Sequence, residues 1–154
     1  SGSMTLHDMG HTVEATRWRL DVRYVTQYKV DIPGSPRDFI ARITSFSAWK
    51  RFGTITDECL TKEASELIES WGMGTNSFDK AWVVLSGGEA QRIILAIALA
   101  SRPKVLLMDE STSALDVTSK TSVEQTIKSY AEKFGMMVMW ITHDEEQISR
   151  MVDF

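Results

Sequence analysis

Residues 105–116 read VLLMDESTSALD, an apolar run that ends in two adjacent carboxylates and continues into a loop of small polar residues. The run is short and bounded by turn-forming residues, which predicts a strand buried on both faces of a parallel sheet. Open α/β sheets bind their ligands at the carboxyl ends of their strands. Asp109 and Glu110 are therefore candidate ligand-binding or catalytic residues, the alternative being a solvated acidic pair beside a helix cap.

Two further segments extend this sheet. After a helical stretch over residues 117–134, residues 136–142 form a second apolar run, and a strand, a helix and a strand in this order are typical of a parallel sheet. Residues 20–26 read LDVRYVT and predict a third strand. These two strands lead into His143 and Gln27, so parallel strands would bring both residues to the edge that carries the carboxylates. Taken singly, each is better explained as an ordinary structural residue.

Helix-start signals mark the middle of the chain. Ser35 is suited to the N-cap of a helix that begins with proline, and a second helix is predicted over residues 62–71. Residues 85–92 read LSGGEAQR, in which Ser86 and Glu89 form a capping box. Its two glycines leave backbone N–H groups and the positive end of the helix dipole free to hold a phosphate. By itself, the pattern is also explained by a helix that merely begins with small residues.

Composition excludes several classes of protein. The 154 residues carry 17 basic and 21 acidic side chains, a net charge of −4, with no block of like charges, so no nucleic-acid partner is expected. The longest apolar runs fall far short of the ~20 residues that a transmembrane helix needs. Cys59 is the single cysteine, which excludes an intramolecular disulfide, fits a reducing, cytoplasmic compartment and predicts a buried structural thiol.

The order of the polar sites is more specific than any one of them. Along the chain, the sequence resembles the ATPase domains of ATP-binding-cassette (ABC) transporters. In that family a glutamine loop, an LSGG-type signature, an apolar strand ending in Asp-Glu, a SALD loop and a switch histidine follow one another. The matching positions are Gln27, Ser86 to Gly88, Asp109 with Glu110, Ser113 to Asp116, and His143, with Ser111 standing where the family commonly has proline.

The resemblance implies an α/β fold, a partial RecA-like P-loop NTPase core with a parallel sheet and an inserted helical (signature) subdomain. We expect residues 4–154 to form a single partial ABC ATPase domain. Its core elements would lie in residues 4–33 and 86–154, and its helical subdomain in residues 34–85. Residues 1–3, which read SGS, are interpreted as the remnant of an expression tag.

The resemblance also implies a role for each matched residue. Glu110 would be the general base, His143 would contact the γ-phosphate of ATP, and Asp109 would hold the waters of Mg²⁺. Gln27 would touch both the metal and the attacking water. The positions implied to act across a dimer are the signature residues Ser86, Gly87 and Gly88, which would close over ATP held by a partner domain, and the interface-loop residues Ser113, Ala114, Leu115 and Asp116.

These roles imply an ATP-binding and ATP-hydrolysing subunit or domain of an ABC transporter, in which ATP-driven head-to-tail dimerisation powers transport. The implied cofactors are ATP and Mg²⁺. The implied partners are a second ABC ATPase domain and a transmembrane domain or subunit, with the chain in the cytoplasm on the cytosolic face of the membrane. Two alternatives stay open: a non-catalytic regulatory or dimerisation fragment, and an ABC-family ATPase outside transport. The stretch from Gln27 to Ser86 is compact and has no heptad run, which argues against the long coiled coil of the chromosome-organising relatives.

One motif of the family is not in this sequence. A phosphate loop reads G-x-x-x-x-G-K-[ST], and no two of the nine glycines stand five positions apart. We therefore expect the chain to be the C-terminal portion of a domain whose phosphate loop lies upstream, and to be inactive alone. The strand before that loop is expected to pair beside residues 104–108, which predicts an uncovered apolar sheet edge around Val105 to Met108 and a self-associated chain.

Overall fold

The computed structural model describes residues 15–27, 31–53 and 55–151. Residues 1–3, interpreted above as a tag remnant, and part of the core segment expected in residues 4–33 lie outside these described residues. Within them the chain contains three strands and seven α-helices, the α/β composition expected from the sequence.

The strands form one parallel sheet in the order β1-β2-β3, with β1 at Val22–Thr26, β2 at Val105–Asp109 and β3 at Met137–Ile141. Val105 lies opposite Val22 on one side and Met137 on the other. The prediction of parallel strands is therefore confirmed. The expected uncovered edge at Val105 to Met108 is wrong, because β2 is the central strand and pairs with a neighbour on both sides. The order of strands is set by long-range pairing, which local sequence patterns do not encode.

The two faces of the sheet differ in burial. On one face, Val25, Leu106 and Met108 are buried in the core. On the other, Met137 and Met139 of β3 are 65% and 59% exposed. Because consecutive side chains of a strand point to opposite faces, the sheet buries one face against the helices and leaves the other face apolar and open.

The helices of the described residues are α1 (Ala15–Asp21), α2 (Pro36–Ser45), α3 (Ser47–Phe52), α4 (Asp57–Ser70), α5 (Gly87–Ala100), α6 (Val117–Phe134) and α7 (Glu145–Met151). The start of α2, the start of α5 and both ends of α6 agree with the sequence-based predictions. α4 begins earlier than predicted, and α1, α3 and α7 were not predicted. Two short 3₁₀ turns, at Thr75–Asp79 and Trp82–Val84, connect α4 to α5.

Caps explain where these helices begin and end. Ser35 and Ser86 each accept a hydrogen bond from the N–H three residues later, and the carboxylate at that position accepts one from the cap's own N–H. Thr56 caps α4 by accepting from the N–H of Cys59, so the helix starts before the predicted residue. Cys59 is exposed, and the expected buried thiol is wrong. Gly135 ends α6 with a φ of +62°, a left-handed conformation in which other residues are strained.

Helices α4 and α5 pack along each other and form the centre of the core. The buried positions of α4 include Leu60, Ala64 and Leu67, which repeat at helical spacing, and α5 is buried over most of its length. Burying each leucine contributes about 1.5–3 kcal/mol. Because α5 also contacts β1, the same packing ties the helices to the sheet and fixes the start of α5, where the signature residues lie.

Candidate functional site

The carboxyl ends of the three strands meet at one edge of the sheet. Thr26, Asp109 and Ile141 are the last residues of their strands and lie opposite one another. Gln27 follows β1 in an exposed bend, and Glu110 follows β2. The structure therefore brings the polar residues singled out in these two loops to a common edge.

Glu110 has an unusual backbone conformation. Its φ is +47°, and Arg102 is the only other described residue besides glycine with a positive φ. A left-handed conformation costs a residue with a side chain about 1–3 kcal/mol. The N–H of Glu110 donates to the carbonyl of Ile141 at 2.9 Å, which holds the turn against the end of β3. The chain thus bends directly after the strand, with a carboxylate at the bend.

Glu110 and His143 contact each other across the edge of the sheet. The Nε2 atom of His143 lies 3.0 Å from Oε1 of Glu110. The Glu110 side chain is 29% exposed and the His143 side chain is 88% exposed. A carboxylate and an imidazole at this distance hold one another in orientation, and both remain accessible to a ligand from solvent. The two candidate catalytic residues of separate strands are therefore in direct contact.

Asp109 is held by a residue that the sequence did not point to. The hydroxyl of Tyr24 donates to Oδ2 of Asp109 at 3.0 Å. Tyr24 was missed because it lies inside β1 and not in a polar loop. One signal could have found it: in parallel register, alternate residues of neighbouring strands share a face, and Tyr24 stands two residues before Thr26, the partner of Asp109. The bond leaves the other carboxylate oxygen of Asp109 open to a further partner.

The glutamine loop is anchored by the helix that carries the signature. Gln91 of α5 is buried, and its Nε2 donates to the carbonyl of Thr26 at 3.0 Å. Thr26 is the residue immediately before Gln27, so the end of β1 is tied to α5 by a side-chain hydrogen bond. The sequence analysis did not identify Gln91, which is the Q of LSGGEAQR.

The signature residues stand at the start of α5. Ser86 caps the helix with Glu89, and the N–H of Ser86 donates to the Glu89 carboxylate at 2.8 Å, which lowers the pKa of Glu89. A Cβ at Gly87 would meet no atom within 4 Å, so this position opens to solvent. A Cβ at Gly88 would lie 3.2 Å from the carbonyl oxygen of Ala114. The signature therefore packs against the loop of residues 111–116 on one side and is open on the other.

The loop of residues 111–116 joins β2 to α6. Leu115 is buried, while Ser113 and Ala114 are exposed. Asp116 ends the loop as the N-cap of α6, and its carboxylate accepts from the hydroxyl of Ser119 at 2.7 Å and from its N–H at 3.0 Å. These bonds lower the pKa of Asp116. The loop is therefore fixed at its end by a cap and presents two small residues to solvent.

The side chains at the carboxyl edge of the sheet could bind a hard cation only if water or a substrate supplied further ligands. Among residues 15–27, 31–53 and 55–151, no three or more His, Cys, Asp or Glu side chains are grouped to hold a metal ion. Mg²⁺ commonly takes one or two carboxylates and completes its shell with water and substrate phosphates. Asp109, with one carboxylate oxygen outside its bond to Tyr24, fits that pattern.

None of the helices in the described ranges combines the length and the apolar character that a bilayer span requires.

Comparison with known proteins identifies a family for this chain. The family model described as ABC transporter matches residues 1–113. The methionine import ATP-binding protein MetN of Haemophilus ducreyi is 41% identical over 103 residues, which are 67% of this chain and 30% of that protein. MetN 3 of Pectobacterium atrosepticum is 40% identical over 61% of this chain and 27% of its own length. The chain thus spans less than a third of the length of these relatives.

A solved structure shows the same fold. The structure of a bacterial Atm1-family ABC exporter with ATP bound matches 85% of this chain and 22% of that chain, with a TM-score of 0.63 and 22% sequence identity. An identity this low supports the fold alone. The family model, in contrast, covers well over half of the sequence. The chain belongs to the ABC transporter family.

Proposed function

We propose that this chain carries the hydrolytic edge and the signature of an ATPase domain that powers an ABC transporter. The observation that carries the proposal is the contact between Glu110 and His143 at 3.0 Å, beside Asp109 at the carboxyl edge of a parallel sheet. Such edges bind the ligands of α/β proteins. The printed names of the matched relatives, ATP-binding proteins of methionine import, favour ATP as the ligand and transport as the use.

Glu110 is the general base of the proposed reaction. Its carboxylate accepts a proton from the water that attacks the γ-phosphate of ATP. His143 holds this carboxylate in orientation and donates to the γ-phosphate as negative charge develops on it. Gln27, exposed at the same edge, orients the attacking water. These roles require no rearrangement of the strands, because Glu110 already lies at the carboxyl edge of the sheet.

Asp109 is the proposed protein ligand for Mg²⁺, directly or through the waters of the ion, and Gln27 is a second. When bound, Mg²⁺ supplies charge neutralisation for the phosphates of ATP. Tyr24 keeps Asp109 in place by donating to Oδ2. The residues present therefore fit the cation, with the remaining ligands supplied by water and nucleotide.

The signature residues act on ATP held by a partner domain. Ser86 and Gly87 are exposed, and the N–H groups at the start of α5 present the positive end of the helix dipole to an anion. Gly88 lets the signature pack on Ala114, so the signature and the interface loop of Ser113 to Asp116 form one continuous surface. A second ABC ATPase domain that docks head to tail on this surface would complete a shared ATP site.

The remaining parts of the proposal concern the whole protein. Residues 34–85 are the proposed helical subdomain, and residues 4–33 and 86–154 are the proposed core elements of the same domain. The proposed partners are a second ABC ATPase domain and a transmembrane domain or subunit, with the chain on the cytosolic face of the membrane. The packing of α2 against α4, and of α4 along α5, supports residues 34–85 as a unit attached to the signature helix.

A non-catalytic regulatory or dimerisation role is the second candidate. The observation that favours it is the sequence itself, in which no glycine pair has the spacing of a phosphate loop. The other alternative, an ABC-family ATPase outside transport, would differ from the proposed function in having no transmembrane transporter domain or subunit as its partner. Hydrolysis by a complete domain, meaning a protein that contains both this chain and a phosphate loop, separates the enzyme from the non-catalytic role.

The test is the Glu110→Gln substitution in a complete domain. Removing the base should slow ATP hydrolysis at least about 100-fold and leave ATP binding intact, because general bases contribute on that order. Glu132→Gln, at an exposed position on α6, is the matched control and should hydrolyse ATP at the normal rate. Phosphate release and nucleotide affinity are measured for both. Unchanged turnover in Glu110→Gln removes Glu110 from the mechanism, and no hydrolysis by the unmodified domain favours the non-catalytic role.

A further inference from the structure

A buried polar network lies behind the candidate site, between α6 and α7. Glu124 of α6 is 3% exposed. Arg150 of α7 donates to both of its carboxylate oxygens, from Nε to Oε2 at 2.8 Å and from Nη2 to Oε1 at 3.0 Å. Gln147 of α7, 1% exposed, donates from Nε2 to Oε1 at 2.8 Å. A buried carboxylate is costly unless it is paired and hydrogen-bonded, and here both oxygens are satisfied.

Gln147 also reaches the loop that follows the candidate base. Its Nε2 donates a second hydrogen bond to the hydroxyl of Thr112 at 2.9 Å. Thr112 is buried and stands two residues after Glu110. A glutamine amide has two N–H donors, and both are used, one on α6 and one on this loop. Both N–H donors of the amide are satisfied only when α6, α7 and the loop are in their observed places.

The same helices anchor the backbone next to His143. Asp144 accepts from Nζ of Lys120 on α6 at 2.6 Å and from the N–H of Gln147 at 3.0 Å. The His143 side chain itself is 88% exposed, and its Nε2 lies 3.0 Å from the Glu110 carboxylate. Its position therefore depends on the anchored residues beside it in the chain. Asp144 and Gln147 provide that anchor from the C-terminal side.

We propose that Gln147 is a positioning residue, which together with Glu124 holds the loop after Glu110 and the segment carrying His143 in register. Gln147 binds Thr112 on one loop and follows His143 by one helical turn on the other, so one side chain sets the spacing between both halves of the catalytic pair. Arg150 binds both carboxylate oxygens of Glu124 and so holds this side chain in place, which fixes the amide of Gln147. The inference rests on the proposed function for its catalytic meaning, but the coupling of the two loops is a property of this chain alone.

The test begins with the chain itself. In Gln147→Met, which keeps the volume and removes both donors, backbone amides in residues 110–116 and 142–147 should exchange hydrogen about tenfold faster or more. Amides in α5 and β2 should be unchanged. Gln125→Met, an exposed position beside Glu124, is the matched control and should exchange normally throughout. Unchanged exchange in the two loops, or a uniform increase over the whole chain, overturns the proposal.

A second pair of variants covers the case in which Gln147→Met does not fold. Thr112→Val removes the acceptor and Thr112→Ser keeps it. Thr112→Val should speed hydrogen exchange in residues 142–147, although these residues are distant from Thr112 in the sequence. In Thr112→Ser the same amides should exchange as slowly as in the unmodified chain. If valine and serine behave alike, the hydrogen bond from Gln147 does not couple the loops and the proposal is wrong.

The effect of Gln147 on catalysis is tested in the complete domain. Gln147→Met should lower kcat about tenfold while the Kd for ATP stays the same, because misplacing a catalytic pair slows the chemical step and not binding. The double variant Gln147→Met, Thr112→Val should be no slower than Gln147→Met, because Gln147→Met already removes the hydrogen bond that Thr112→Val breaks. Additive losses or a normal kcat overturn the proposal. A complete domain that hydrolyses no ATP, with the loop exchange still altered, refutes the proposed function and leaves the coupling standing.

Discussion

At the scale of single residues, the candidate site stores backbone strain at its central carboxylate. Glu110 sits at φ +47°, where any residue with a Cβ is disfavoured and glycine is not. The strain is held by the hydrogen bond to Ile141 and by the pairing of β2 with both neighbours. A side chain retained at such a position is better explained by its chemistry than by its contribution to stability.

This strain predicts a stability difference between two variants that both lack the carboxylate. Glu110→Gly should be more stable than Glu110→Ala by about 1–2 kcal/mol, because only glycine adopts the left-handed conformation without a steric cost. Urea unfolding of the chain gives both values. Equal stability, or a more stable alanine variant, would show that residue 110 relaxes out of the left-handed region.

Most of the residues in the site could be predicted, and their contacts could not. Asp109, Glu110 and His143 are visible in the sequence because each stands at the end of an apolar strand or just after it. Tyr24, Gln91 and Gln147 are not visible, because their roles arise from side chains that cross between elements. Their partners are 85, 65 and 35 residues away in the chain. Short-range patterns carry no information on contacts of that separation.

At the scale of helices and strands, local chemistry explains what the sequence predicted correctly. The capping boxes at Ser35 and Ser86 and the left-handed Gly135 each involve residues within one turn of one another, so the sequence alone specifies them. The bounds of α4 were missed because its cap, Thr56, lies ahead of the segment in which apolar spacing is obvious. Strand order was missed because it depends on which strand β3 joins after α6.

The cap of α6 makes a pH-dependent contribution to stability. Hydrogen bonds from Ser119 hold the pKa of Asp116 below its ordinary value, so the folded state favours the ionised form. A depressed carboxyl pKa adds stability that is present above the unfolded value, about 3.9, and is lost as the pH falls through the folded value. Asp116→Asn keeps a capping acceptor but does not titrate.

The wild-type chain should therefore be more stable than Asp116→Asn at pH 7, and the difference should disappear as the pH falls below about 4. Urea unfolding at several pH values measures it. Asp116→Ala, which removes the acceptor altogether, should be less stable than Asp116→Asn at every pH. A difference between wild type and Asp116→Asn that persists unchanged into acid would contradict the role of ionised Asp116.

At the scale of the whole molecule, the open face of the sheet is an exposed surface with several large apolar side chains. Tyr24, Met137, Met139 and Ile141 are all more than half exposed and lie on the face opposite to the core. Parallel sheets are normally covered on both faces. β2 is paired on both sides, so it is not the surface through which the chain would associate with itself. We now expect self-association through the open face of the sheet and the outer strand β3.

Self-association through this surface has a direct test. Light scattering on the chain should give a mass above the 17.4 kDa of one copy, and Met139→Lys should shift it towards that value, because a charge in the middle of an edge strand opposes pairing. Val83→Lys, at an exposed position in a 3₁₀ turn, should leave the mass unchanged. A monomeric wild-type chain would contradict the expectation.

The central proposal is that a complete domain containing this chain closes over ATP together with a partner domain and hydrolyses it. Glu110→Gln in a complete domain should trap the closed state, since ATP binds and the base is gone. Adding Gly87→Glu places a carboxylate at the open start of α5, where an added Cβ meets no packed neighbour within 4 Å. The carboxylate suits the helix dipole but would repel the phosphates of a partner's ATP.

The measurement is the mass of the Glu110→Gln protein with and without Mg-ATP. We predict that Mg-ATP doubles the mass of the single variant Glu110→Gln. The double variant, which carries Gly87→Glu as well, should remain monomeric, although both variants bind ATP with the same affinity. Ala81→Glu, exposed ahead of the signature, should dimerise normally. A Glu110→Gln protein that binds ATP without dimerising, or that dimerises equally well with Gly87→Glu, would contradict the claim that the signature residues complete a shared ATP site.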